Sequence, residues 1–280
     1  MSPLDGSIVM DTTAEERLAT ARDAAEAGAA SALSAFRSSL AVETKSGPTD
    51  FVTQADRDAQ SAVVDAIHGA FPDEPIVGEE DAVPGTVPAE GPAWIVDPID
   101  GTSNFVREIP VWTTAVAAVV DGEPVAAAVD APALGDRWYA GADEAYRNGT
   151  PIVVSERASP AASAVCPTLW WNDERRDEYA AVADEAVHRF SDTRRFGSAQ
   201  FEFAQVAAGG LEATLSNVAG APWDTVAGAH LVRAAGGRVT DVHGDRWRHD
   251  SQGIVATNDL IHEDALAVAR AGEAVRTAGE

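Results

Sequence analysis

The chain has 280 residues, 45% of them hydrophobic, and a formal charge of −25, so a large core is available and disorder is excluded despite the charge. Acidity on this scale excludes nucleic-acid binding through a basic face; with no leader of signal type and no apolar run of spanning length, the chain reads as a cytoplasmic protein that makes no use of a membrane. Lys45 is the only lysine against 19 arginines, a bias that reads as adaptation to molar intracellular salt, where a Debye length of about 3 Å screens self-repulsion.

In chain order, Thr13-Ala14-Glu15-Glu16 has the form of a capping box, and Leu18, Ala21, Ala25, Ala29, Leu33 and Phe36 continue at helical spacing, which predicts a first helix from about 14 to the high thirties. A loop with Lys45, Gly47 and Pro48 leads to a second helix over about 54–70. The stretch from Glu80 to Pro92 reads as loop, and Trp94, Ile95 and Val96 as a buried strand that Pro98 ends. Asp121-Gly122 between Val116–Val120 and Val125–Val129 predicts a hairpin, with further strands at Arg137–Ala140 and Ile152–Val154. The second half alternates: strands near 164–169, 192–196, 211–216, 237–242 and 253–256, with helices near 174–189, 198–208, 223–235 and 260–277. Cys166, the only cysteine, sits in an apolar strand, where it reads as an ordinary buried thiol. The pattern divides into a β-rich lobe over 1–150 and an α/β lobe over 151–280.

The most informative run is Trp94 to Phe105, WIVDPIDGTSNF. It sets Asp97 and Asp100 at the carboxyl end of a strand and follows them with Gly101, where a ligand can approach the backbone. Thr102, Ser103 and Asn104 then form a helix opening whose unpaired N–H groups attract an anion. Cation ligands and anion donors lie side by side, and clustered carboxylates stay ionised together only with cations among them. Taken singly, other acids have plainer readings. Glu79 reads as a solvated loop acid, Asp56 as completing a cap with Thr53, and Asp224 as complementing the dipole of its own helix.

This run closely resembles the signature of the inositol monophosphatase family of magnesium-dependent phosphomonoesterases. That group includes many fructose-1,6-bisphosphatases, the dual archaeal enzymes among them, and the 3'-phosphoadenosine phosphatases. Lys45 to Asp50, Val52 to Asp56, Gly78-Glu79-Glu80, Gly197-Ser198-Ala199 and Pro222 to Gly228 extend the resemblance, in the family's order, over nearly the whole chain. It implies an α/β (α+β) fold, a layered αβαβα sandwich whose first lobe has a mostly antiparallel sheet. It implies two or three Mg2+ ions per site, with Mn2+ as a substitute and Li+ as an inhibitor, and a homodimer acting on a small anionic phosphate ester.

Site roles follow from the same resemblance. Glu79, Asp97 and the carbonyl of Ile99 bind one metal; Asp97 bridges to a second held by Asp100 and Asp224; Asp56 orients water or helps a third. Thr102, paired with Glu79, accepts a proton from the attacking water, the N–H groups of Gly101 and Thr102 with Ser103 bind the phosphate, and Lys45 approaches the metals from a mobile loop. Gly197 and Ser198 lie near substrate hydroxyls, with Arg194 or Arg195 on a second phosphate or sugar oxygen. Asn217 stands where inositol phosphatases have a glutamate, a departure that leaves room for fructose 1,6-bisphosphate or another sugar phosphate; the expected substrate is inositol monophosphate or a related sugar phosphate, with fructose 1,6-bisphosphate and then 3'-phosphoadenosine 5'-phosphate as alternatives. A dehalogenase-type phosphatase is disfavoured by the two-residue gap between Asp97 and Asp100 and by the absence of any lysine after position 45. A P-loop is excluded because Lys45 lacks its glycine frame. The non-enzyme alternative is an acidic metal-binding scaffold.

Overall fold

Alternation along a buried strand decides which layer each side chain enters, and here it distributes one sheet between two helical layers. The computed structural model describes residues 5–38, 42–44, 51–80 and 85–278. Helix α1 (Asp5–Ala35) begins earlier than expected: Thr13 lies inside it, since no proline or glycine between Ser7 and Thr13 interrupts the helix. Strands β1 (Val42–Thr44) and β2 (Phe51–Thr53) form an antiparallel pair. Helix α2 (Gln54–Ala70) starts at the predicted place, and a capping box of Thr53 and Asp56 holds its first turn.

A seven-stranded sheet follows, in sequential order from β3 (Ile76–Gly78) and β4 (Pro92–Asp100) through β5 (Thr113–Val120), β6 (Glu123–Ala131), β7 (Asp136–Ala140) and β8 (Ala145–Arg147) to β9 (Thr150–Ile152). Only the β3–β4 pair is parallel. The short helix α3 (Thr102–Val106) leaves the end of β4. On one face Trp94, Val96, Val116 and Ala118 pack with Ala21, Ala25, Val63 and Ile67 of α1 and α2. Gly28 is the closest approach there, since a Cβ on it would lie 2.4 Å from Val63 Cγ2. On the other face Ala93, Ile95, Ala115, Ala117 and Val119 pack with Phe203 and Leu231. Each fully buried Ile, Leu or Phe of these layers contributes on the order of 2 kcal/mol.

Phe203 belongs to α5 (Ala199–Ala207) and Leu231 to α6 (Pro222–Ala234), the helices between the two sheets. The second sheet, with β10 (Ala164–Pro167), β11 (Asp192–Thr193), β12 (Ala213–Ser216), β13 (Arg238–Thr240) and β14 (Ile254–Thr257), has the order β11-β10-β12-β14-β13. Its outer face carries α4 (Arg176–Arg189) and α7 (His262–Ala278), through Val182, Ala186, Leu266 and Ala269. The layers are therefore α1/α2, seven strands, α5/α6, five strands and α4/α7: the expected αβαβα sandwich. None of the described helices is long and apolar enough to cross a membrane.

Candidate active site

Two carboxylates three residues apart on a regular strand face opposite ways. The structure resolves this with a bulge: Asp97 pairs with Ala115 and Asp100 with Thr113, so β4 uses one residue more than β5 over this interval. Pro98, predicted to end the strand, instead sits within it. Lacking an N–H, it breaks the ladder locally while its carbonyl accepts from Thr114 Oγ1 at 2.8 Å. The inserted residue returns Asp100 to the side of Asp97, the face that α6 covers. Proline 222 opens α6, and Asp224 stands in its first turn. Oxygens of Asp97, Asp100 and Asp224 consequently lie within 4.8 Å of one another.

The two aspartates of β4 differ in their surroundings. Asp100 is fully engaged, accepting from Ser198 Oγ at 2.6 Å, the N–H groups of Gln200 at 2.7 Å and Ala199 at 3.1 Å, and Thr113 Oγ1 at 3.4 Å. It caps the start of α5 from a distant part of the chain, yet burial still holds its carboxyl above the usual range. Asp97 is 1% exposed and its Oδ1 is buried without a hydrogen-bond partner among the described residues. Burial first, then the charges of Glu79, Asp100, Asp224 and Asp56 in that order, push its carboxyl well above the usual range. Four of the five acids named from sequence thus act on the fifth, Asp97. A buried carboxylate oxygen with no donor, among like charges, fits a hard divalent cation.

Gly101 turns the chain from β4 into α3 with φ at +92°, and a Cβ there would lie 3.0 Å from the Gly197 carbonyl. The Thr102 hydroxyl donates to the Ile99 carbonyl at 3.0 Å, with a longer contact of 3.4 Å to Asp56 Oδ1. Among the described residues, the acid that the Thr102 hydroxyl contacts is Asp56, where Glu79 was the expected one. Asp56 completes the cap as read from sequence, its Oδ2 accepting from the Thr53 N–H and hydroxyl at 2.7 Å, while its Oδ1 faces Thr102. Lys45 lies outside the described residues.

A cavity of about 440 Å³ opens over this cluster, and Ser103, Gly197, Ser198, Arg195, Asp100 and Asp224 all line it. Arg195 Nη1 and Nη2 donate to the carbonyls of Pro167 and Leu169 at 3.0 and 2.8 Å. Arg194 is paired with Asp192. Asn217 does not reach the cavity. It is fully buried, its Oδ1 accepting from Trp171 Nε1 at 2.8 Å, its Nδ2 donating to Glu178 at 2.5 Å and its carbonyl accepting from Gln252 at 2.6 Å. Cys166 is buried, and burial pushes its thiol up, which fits the inert reading.

Sequence reasoning gave Asn104 only a place in the helix opening and passed over two other lining residues, Glu202 and Trp170. Asn104 Nδ2 donates to the carbonyls of Val111 and Phe196, both at 2.7 Å, tying α3 to the segment before α5. Glu202 is buried with its carboxyl raised by that burial, and its Oε1 accepts from the N–H groups of Phe196 and Gly197 at 2.8 and 3.0 Å. A lone acid between Phe201 and Phe203 was the available signal. The third, Trp170, is more than half exposed.

Residues 13–274 match the profile described as the inositol monophosphatase family, and the chain belongs to that family, whose members are phosphatases. It is 38% identical over 232 residues to the fructose-1,6-bisphosphatase/inositol-1-monophosphatase of Thermotoga maritima, covering 81% of this chain and 85% of the relative. It is 35% identical over 246 residues to the histidinol-phosphatase of Mycobacterium tuberculosis, covering 83% and 89%. Among solved structures, a Thermotoga maritima IMPase superposes with a TM-score of 0.79 at 31% identity, covering 95% of this chain and 98% of that one.

Proposed function

We propose that this phosphatase is a magnesium-dependent phosphomonoester hydrolase acting on inositol monophosphate or a related sugar phosphate. The observation that carries the reading is Asp97, buried among like charges with no hydrogen-bond partner for its Oδ1 among the described residues. Glu79, Asp97, Asp100, Asp224 and the Ile99 carbonyl would hold the ions, which when bound neutralise phosphoryl oxygens and acidify water. Gly101, Thr102 and Ser103 bind the phosphoryl group through the backbone N–H groups of the first two and the position of Ser103 on the cavity wall. Thr102 Oγ1, held by Ile99 O and Asp56, offers its lone pairs to the attacking water and passes the proton towards Asp56 Oδ1. Gly197 and Ser198 face the alcohol half of the substrate. With Asn217 buried against Trp171 and Glu178, its difference from glutamate no longer counts against inositol phosphate.

The test is release of inorganic phosphate from inositol 1-phosphate, fructose 1,6-bisphosphate and histidinol phosphate in molar potassium chloride, the condition the acidic composition favours. Turnover that needs Mg2+ and ends with a chelator is expected. A folded protein that releases no phosphate from any ester would favour the scaffold reading.

A further inference from the structure

Beyond the metal cluster, the cavity has one wall that the phosphate chemistry does not use, and its backbone is strained. Strand β10 ends at Pro167, where Thr168 N–H still bonds the Leu215 carbonyl at 2.8 Å. Leu169 then takes φ of +62°, a left-handed conformation that is uncommon for a residue with a bulky side chain. Three contacts hold it there. Arg195 clamps the carbonyls of Pro167 and Leu169. The Leu169 side chain lies against Gly220, where a Cβ would stand 2.8 Å from Leu169 Cδ1. Beyond it Trp171 is buried and anchored by Asn217.

The turn separates two successive tryptophans. Trp171 enters the core, while Trp170 is 54% exposed and lines the same cavity as Asp100, Asp224 and Ser103. Guanidinium groups of Arg176 and Arg195 flank its ring at 5.9 and 5.7 Å from the centroid, near the outer limit of a cation–π contact, and much of the ring stays open. Arg195 has no carboxylate partner among the described residues, in a chain with 45 acids to 20 basic side chains. A strained turn, a clamp and an exposed indole all converge on one wall of a concave site, the arrangement of a pocket that reads a ligand.

We infer that Trp170 determines specificity by stacking on the ring face of the alcohol that carries the phosphate, with Leu169 and Arg195 as positioning residues that aim the indole. The ring face is an aromatic ring or the C–H face of a cyclitol or sugar. This rests on the phosphatase reading for the place of the phosphate. With that group at Ser103, Asp100 and Asp224, the alcohol half lies between Leu169, Trp170 and Phe196.

The experiment compares kcat/KM for inositol 1-phosphate and phenyl phosphate with that for glycerol 2-phosphate, which has no ring, in wild type, Trp170→Ala and Trp170→Phe. The ratio of ring to acyclic ester should fall about tenfold in Trp170→Ala, through KM, and return in Trp170→Phe. Loss on phenyl phosphate alone assigns an aromatic ring, and loss on inositol 1-phosphate alone assigns a cyclitol face. An unchanged ratio overturns the inference. Tryptophan fluorescence supplies a readout without turnover: phenyl phosphate should quench wild type and not Trp170→Phe, and an equal quench in both overturns the stacking. Protein that shows this difference but hydrolyses nothing would sink the hydrolase reading and leave the platform standing.

Discussion

Two groups of buried polar side chains in this molecule are treated in opposite ways. Behind the second sheet, Asn217, Trp171 and Glu178 satisfy one another, and His262 lies between the hydroxyls of Thr240 and Thr257, each at 2.9 Å. At the end of β4 the same degree of burial leaves Asp97 Oδ1 with no donor among the described residues and four acids acting on it. A closed network supports structure and asks nothing of a ligand; an open one of like charge is stable only when something from outside completes it.

The largest effect should come from Asp97→Asn. Turnover should fall on the order of a thousandfold, while the melting temperature without divalent cations holds or rises because a repelled charge is gone. Calorimetry with and without Mg2+ checks it: wild type should gain stability from Mg2+ and the variant should not. Turnover near wild type would remove the contrast between the two regions.

The closed network should show itself in acid. Burial pushes the His262 imidazole down to about 4, whereas the unfolded chain takes up this proton from about 6.5 downward. Its contribution is therefore complete above about 6.5 and lost as pH falls towards 4, on the order of 3 kcal/mol in all. Urea denaturation at pH 7.5 and 4.5 measures the loss, and His262→Gln should shrink it.

The smallest effect sharpens the correction at Asn217. Replacing it with leucine should cost about 1–3 kcal/mol by stranding the Trp171 N–H and Glu178. The KM for inositol 1-phosphate should stay within about twofold of wild type. A large rise in KM with little loss of stability would return Asn217 to the substrate.

Much of this was legible in the chain because the signals were local. The Asp121-Gly122 turn, the alternation in the strands around it and the Thr53 cap each act over a few residues, and the structure bears them out. The acids were found through the order of motifs along the chain. What escaped depends on pairing between distant segments. Pro98 reads as a stop in isolation and becomes a bulge only when β5 is alongside. The Thr102 hydroxyl contacts Asp56, where Glu79 was the expected acid, because α2 packs beside the end of β4. Spacing along the chain placed Asn217 seven residues before Asp224, and nothing in that spacing told which side of β12 its amide would take.

Asp100 serves two masters, the acidic cluster and the first turn of α5. The main chain from 196 to 200 cannot drift without disturbing the electrostatic centre, so this scaffold should not acquire new preferences by reshaping that loop. Divergence would have to run through side-chain exchange at a place free of the tether, such as 170, since Glu202 itself holds the main chain at 196 and 197. A library randomised at position 170 is the economical route to retooling it.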